Sequence, residues 1–137
     1  MSNSDVAPKP IPESCHDLLE RPLIMSIATV LADGTPQVTP VWFNYEDGHI
    51  LFNSARGRLK DRAIRRRPYV ALNIIDPENP MHFLAIRGPV VEITEEGAVE
   101  HINALAKRYM GRDTYPIREG EVRVIYRVRP QHVLTFS

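Results

Sequence analysis

The sequence predicts a mainly β domain of the α+β class, an antiparallel barrel with a few helices attached. Three observations carry this expectation. Short β-branched and apolar runs alternate with turn signals, and the element order reads helix, three strands, short helix, two strands, long helix, strand. No strand-helix-strand alternation of the doubly wound kind occurs, which disfavours a parallel sheet. The length of 137 residues, with 43% hydrophobic and 25% charged residues, suits one domain.

Taken in order, residues 1–12 are polar and carry Pro8, Pro10 and Pro12, so they read as a mobile tail ahead of a domain over 13–137. Glu13 to Leu19 fits a short helix with Pro12 before its first turn and Pro22 as its stop. Leu23 to Leu31 is a strand, Asp33-Gly34 turns it, and Gln37 to Tyr45 returns as its hairpin partner. Glu46-Asp47-Gly48 turns again into a third strand, His49 to Asn53. Leu59, Ala63 and Ile64 at helical spacing place a short helix over Arg58 to Arg67, stopped by Pro68. Tyr69 to Ile75 is a strand, Asp76 to Pro80 a loop, and Met81 to Thr94 a long strand that Gly88-Pro89 bends. Thr94 caps a helix whose apolar stripe is Ala98, Ile102, Leu105, Ala106 and Tyr109, and Gly111 ends it. After a loop over Arg112 to Gly120, Val122, Val124, Tyr126 and Val128 alternate with Arg123, Ile125, Arg127 and Arg129 in a last strand.

The formal net charge of zero conceals a concentration of positive charge. Arg56, Arg58, Lys60, Arg62, Arg65, Arg66 and Arg67 face a single acid in that stretch, Asp61. Such a focus on an otherwise acidic body suits a small anion better than nucleic acid, which meets a broad basic face with interleaved aromatics. No run approaches the roughly 18 apolar residues of a membrane span. No signal peptide pattern opens the chain, so a cytoplasmic protein without membrane or nucleic-acid partners is expected. Cys15 is alone and reads as inert.

Two segments carry possible chemistry. In Asn53-Ser54-Ala55-Arg56-Gly57-Arg58-Leu59-Lys60 a strand ends in small polar residues and a basic helix begins. Amides at a helix start, aided by the helix dipole, attract phosphate, and Arg58 and Lys60 add charged donors. From charge alone, a solvated basic helix packed through Leu59 and Ala63 fits equally well. In Gln37-Val38-Thr39-Pro40-Val41-Trp42-Phe43 a proline interrupts a strand, either as protection of an edge or where a planar ring covers the backbone. Rossmann, P-loop and nucleophile-elbow motifs are absent, and His16, His49, His82, His101 and His132 are scattered. The sequence therefore nominates no catalytic side chain and no metal ligands, and any chemistry falls to a cofactor.

With these segments in view, the chain resembles the pyridoxamine-phosphate-oxidase-like split β-barrel superfamily, an FMN-binding-like fold. Within it the chain is similar to the deazaflavin-dependent oxidoreductases that use coenzyme F420. The likeness runs from Leu18 to His132. It is carried by residues 32–43, the Asn53 to Lys60 segment, Arg65-Arg66-Arg67-Pro68-Tyr69-Val70-Ala71-Leu72, residues 86–93, and Arg108-Tyr109-Met110-Gly111-Arg112-Asp113-Thr114-Tyr115-Pro116. The resemblance implies a homodimer with cofactor clefts between subunits. Arg58 and Lys60 would take the phosphate, with Arg56 and Gly57 in the same cradle. Asn53, Ser54 and Ala55 would line the ring or its ribityl chain, and Gln37, Val38, Thr39, Pro40 and Val41 would lie near the ring. His82 and Tyr126 would line the cleft from the partner subunit. The family's Arg-Asn-Leu-Arg-Arg-Asp-Pro run stands here as Arg62-Ala63-Ile64-Arg65-Arg66-Arg67-Pro68, which removes two hydrogen-bonding groups from the supporting helix. The implied activity is hydride transfer from reduced coenzyme F420 to an unsaturated or conjugated small-molecule acceptor. An FMN-binding oxidase or flavin carrier and a non-catalytic cofactor-binding protein are the alternatives.

Overall fold

The computed structural model describes residues 6–136. Its strands are β1 (Met25–Val30), β2 (Pro36–Val41), β3 (Phe43–Glu46), β4 (His49–Ala55), β5 (Tyr69–Asp76), β6 (Asn79–Thr94), β7 (Arg123–Val128) and β8 (His132–Thr135). Its helices are α1 (His16–Glu20), entered through a 3-10 turn at Glu13–Cys15, α2 (Leu59–Arg66) and α3 (Ala98–Met110). All strand pairs are antiparallel, in the order β2-β1-β5-β6-β7-β4-β3, with β8 paired to β6 off that path.

That order explains the architecture. β2 and β3 stand at opposite ends of the sheet, yet only Trp42 separates them in the chain. A curled sheet therefore brings its two ends together at Trp42, and the seam is joined by the covalent chain. The fold is the expected split antiparallel barrel. The expectation of one strand over Gln37 to Tyr45 is corrected here: residues before Trp42 pair with β1 and residues after it pair with β4. The break at Trp42 falls where the chain passes from one end of the sheet, at β2, to the other, at β3.

The interior is filled by Met25, Ile27, Phe43, Ile50, Phe52, Ile64, Ile74, Leu84, Val124 and Tyr126, all fully buried, with Phe52 and Tyr126 stacked at 4.7 Å between ring centroids. β4 is buried along both faces from Ile50 to Ala55, because α3 and the loop before α2 cover the side that points away from the core. β6 is 16 residues long and serves both halves of the barrel. Residues 83–89 pair with β5, residues 90–94 with β7, and the register shifts between Val90 and Glu92. Gly88 is required by space: a Cβ there would sit 1.9 Å from the Arg129 carbonyl oxygen.

Other expectations are corrected in detail. The expected loop at Asp76 to Pro80 is a tight turn, since Asp76 pairs with Asn79 and accepts the Glu78 N–H at 2.9 Å. Thr94 ends β6 and accepts the Glu96 N–H at 3.1 Å, while Gly97, left-handed at φ 75°, caps α3. Arg123 and Arg129 are buried, although alternation places them on a polar face. The last strand stops at Val128, and β8 follows Pro130 as a third neighbour along β6. Of the expected tail, residues 1–5 lie outside the described residues. Ile11 is buried and the Lys9 N–H donates to the Pro130 carbonyl at 2.8 Å, so the end of that segment is anchored. Cys15 is buried, its Sγ 3.9 Å from the Phe83 carbonyl. Among the described residues no helix is long and apolar enough to cross a membrane, and no group of His, Cys, Asp and Glu is placed to hold a metal.

Candidate functional site

The basic segment is organised by its one acid. Asp61 is 1% exposed, and its carboxylate accepts the Gly57 N–H (2.9 Å), Arg65 Nε (3.0 Å) and the Tyr126 hydroxyl (2.5 Å). Burial alone would raise its pKa, but the Tyr126 hydroxyl, the Gly57 amide and Arg65 together outweigh it, and the carboxyl titrates below its ordinary range. Tyr126 is correspondingly pushed well above an ordinary tyrosine, by burial first and then by the Asp61 charge. This ties the loop before α2 to the barrel core and fixes where Arg58 and Lys60 emerge. It also corrects the place given to Tyr126, which is wholly buried in its own barrel and cannot line a partner's cleft. His82 is bonded to Asp17 at 2.8 Å, away from this segment.

The amides ahead of α2 are consumed within the chain. Arg56 N–H donates to Val122, Gly57 N–H to Asp61, and Arg58 N–H to Ala55. By helix geometry the amides of Leu59 and Lys60 have no partner inside α2. The phosphate cradle read from the sequence thus narrows to the first turn of the helix and to the side chains.

Those side chains border a cavity of about 270 Å³ at the barrel seam. Its cationic side is Arg58, Lys60 and Arg123, beside Asn53 and Ser54; its apolar side is Ile24, Pro40, Val41, Trp42, Ile102, Leu105 and Tyr115. Lys60 is half-buried and its pKa is lowered, first by burial and then by the like charges of Arg58 and Arg123. Lys60 makes no ion pair among the described residues. Arg58 reaches Glu121 only at 3.8 Å, whereas Arg123 holds it at 2.9 Å. Two of the three cations share one carboxylate and Lys60 has none, so the site has an excess of positive charge that an anion would relieve.

The apolar side is built around Trp42. Its ring stacks on Tyr109 at 5.3 Å and meets Tyr115 edge-on at 5.9 Å, and Arg123 lies 5.2 Å over the Tyr115 ring. The Tyr109 hydroxyl accepts the Phe43 N–H (3.2 Å) and donates to the Leu23 carbonyl (2.6 Å), which clamps α3 to the seam. Asn53 is 8% exposed, and its Oδ1 accepts from Arg123 Nε at 2.9 Å while its Nδ2 donates to the Ala98 carbonyl at 2.9 Å.

Of the residues nominated from the sequence, the structure brings Pro40, Val41, Asn53, Ser54, Arg58 and Lys60 together on this cavity. Gln37, Val38 and Thr39 lie further along β2, where Val38 is 65% exposed. Ala55 is buried, Gly57 serves Asp61, and Arg56 is paired with Glu95 at 2.6 Å. Sequence reasoning missed Trp42, Tyr115 and Arg123 as site residues, together with Ile24, Ile102 and Leu105. Trp42 had a signal, being the chain's single tryptophan close to Pro40, which the structure keeps within β2 rather than at a break.

The split barrel is the fold of the flavin- and deazaflavin-binding oxidoreductases, and here its seam cavity is apolar on one side and cationic on the other. The chain belongs to the pyridoxamine 5′-phosphate oxidase family, whose profile matches residues 11–137. It is similar to a solved F420 reductase at 40% identity, over 90% of this chain and 98% of that one, with a TM-score of 0.83. Two further solved structures share the fold. HupZ from Group A Streptococcus is 20% identical over 90% of this chain and 92% of that one, TM-score 0.66. General Stress Protein 26 from Bacillus anthracis is 19% identical over 88% and 89%, TM-score 0.67. No curated protein matches.

Proposed function

We propose that this chain binds coenzyme F420 at the seam cavity and acts as a reductase of an unsaturated or conjugated small molecule in the cytoplasm. The observation that carries the reading is the under-neutralised cluster of Lys60, Arg58 and Arg123 facing an apolar wall of Pro40, Val41 and Trp42. A flat apolar ring with an anionic tail suits those two sides together. The similarity to an F420 reductase supports the deazaflavin as the ligand of first choice.

In this reading Lys60 and Arg58 hold the phosphate, and Arg123 adds a third charge whose direction Asn53 and Glu121 fix. Asn53 and Ser54 offer polar contacts to the ring or its ribityl chain, with Ala55 behind them. Trp42 and Tyr115 exclude water and orient a planar acceptor. When bound and reduced, the coenzyme supplies a hydride, and the acceptor takes one proton from solvent to complete the two-electron reduction. FMN is the second reading, favoured by the family-level match.

The cavity of about 270 Å³ falls below the usual range for a whole cofactor, so a second copy of the chain would supply the remaining wall. Exposed Val38, Met81, Leu134 and Phe136 supply apolar surface for a homodimer. Gln37, Val38 and Thr39, together with Arg56 and Gly57, would then stand at the rim. The test is oxidation of reduced coenzyme F420 by a panel of conjugated acceptors, with light scattering at micromolar concentration. Acceptor-dependent turnover by a dimer supports the reading; a monomer that binds neither cofactor refutes it.

A further inference from the structure

The cation that completes the cavity is held by a relay that begins outside it. His101, on α3, does not line the seam cavity. Its ring stands between Asn44 of β3 and Asn53 of β4, with Nε2 at 2.7 Å from Asn44 Oδ1 and Nδ1 at 3.0 Å from Asn53 Nδ2. The direction of each bond can be worked out. Arg123 Nε is a donor and the Ala98 carbonyl an acceptor, so Asn53 must turn Oδ1 to the first and Nδ2 to the second. The second N–H of Asn53 then points at His101 Nδ1, which must accept. His101 is thereby the neutral tautomer with its proton on Nε2, donated to Asn44.

We propose that His101 is a positioning residue of the cofactor site: as an acceptor it locks the Asn53 amide, and through Asn53 it holds the Arg123 guanidinium at the cavity wall. This rests on the reading of the cavity as an anion-bearing cofactor site. A neutral imidazole suits the task because it carries an acceptor and a donor on opposite edges of one rigid ring. The surroundings keep it neutral: burial pushes its pKa down to about 4, with Glu46 opposing and Arg127 assisting. Glu92, Glu96 and Thr94 share the cleft on its outer side. Were Nδ1 protonated, two donors would meet, and the Asn53 amide could recover its bond only by turning over and releasing Arg123.

The test is a double-mutant cycle read by binding of inorganic phosphate and of coenzyme F420. His101→Phe keeps the ring but removes the acceptor, and should weaken both ligands by roughly five- to tenfold, as expected for one buried hydrogen bond. His101→Asn returns an acceptor at the δ position and should bind within about twofold of wild type. Asn53→Ala should weaken phosphate binding to a similar extent and coenzyme F420 binding by more, since its own contact to the coenzyme is also lost, and adding His101→Phe to it should change neither further, because the relay is already cut. A ligand-free readout runs alongside: the Asn53 side-chain amide protons, both bonded in the wild type, should exchange faster with water in His101→Phe and slowly again in His101→Asn. Additive effects in the double variant, or unchanged binding and exchange in His101→Phe, overturn the proposal. If the wild type binds neither phosphate nor coenzyme, the cofactor reading fails, and the amide exchange alone decides whether His101 fixes Asn53.

Discussion

Lys60→Ala removes the half-buried cation of the seam cavity. A charge-assisted contact to phosphate is worth on the order of 1.5–3 kcal/mol, so the variant should bind coenzyme F420 about ten- to a hundredfold more weakly. Folding should not suffer. Lys60 pays for burial and for the nearby charges of Arg58 and Arg123 without an ion pair of its own, so the melting temperature should hold or rise slightly. The pH dependence follows from the same lowered pKa. In the ligand-free fold Lys60 loses its proton more readily than in the unfolded chain, so stability rises with pH between those two pKa values. A bound anion favours the charged form, so wild-type affinity should fall as pH rises toward 10.5, and Lys60→Ala should lack that arm. Quenching of the single tryptophan, Trp42, which lines the cavity, reads the titration. The control is Arg66→Ala, an exposed position on the same helix. Arg65 is unsuitable because it holds Asp61 at 3.0 Å. Equal weakening by Lys60→Ala and Arg66→Ala would reduce the site to a diffuse positive field. No weakening by Lys60→Ala would place the phosphate elsewhere.

Asp61→Asn should cost about 3 kcal/mol in urea unfolding, because an amide cannot accept from Gly57, Arg65 and Tyr126 at once and leaves buried donors unpaired. The wild type holds this contribution above pH 3.8 and loses it as pH falls through the lower folded pKa, so its acid arm should flatten in the variant. Gly88→Ala forces a Cβ to within 1.9 Å of the Arg129 carbonyl and should lower stability by about 1–3 kcal/mol, read as a drop in melting temperature without a change in cofactor chemistry.

The barrel was legible because its strands and turns are local signals. Asp33-Gly34 and Asp47-Gly48 both turn the chain as read, and the stripe Ala98, Ile102, Leu105 and Ala106 is the buried face of α3. Trp42 as a strand break was not legible, since nothing in Gln37 to Tyr45 tells that its two halves pair with opposite ends of the sheet. β8 was hidden for a related reason: His132 to Thr135 is a short, half-exposed segment whose only reason to be a strand is the open side of β6. In the site, charge pattern located Arg58 and Lys60. It could not find Arg123, whose place depends on β7 starting opposite Ala55 so that the side chain reaches Asn53, or reveal that Asp61 is the buried anchor of the basic segment. Spacing likewise gave no reason to single out His101 among five scattered histidines, because its partners come from β3 and β4.

The central claim is tested most directly by titrating the purified protein with coenzyme F420 and with FMN under the same conditions, each followed by quenching of Trp42. The account predicts saturable binding with coenzyme F420 the tighter ligand, and binding about ten- to a hundredfold weaker in Lys60→Ala. FMN binding as tight as or tighter than coenzyme F420 would contradict it.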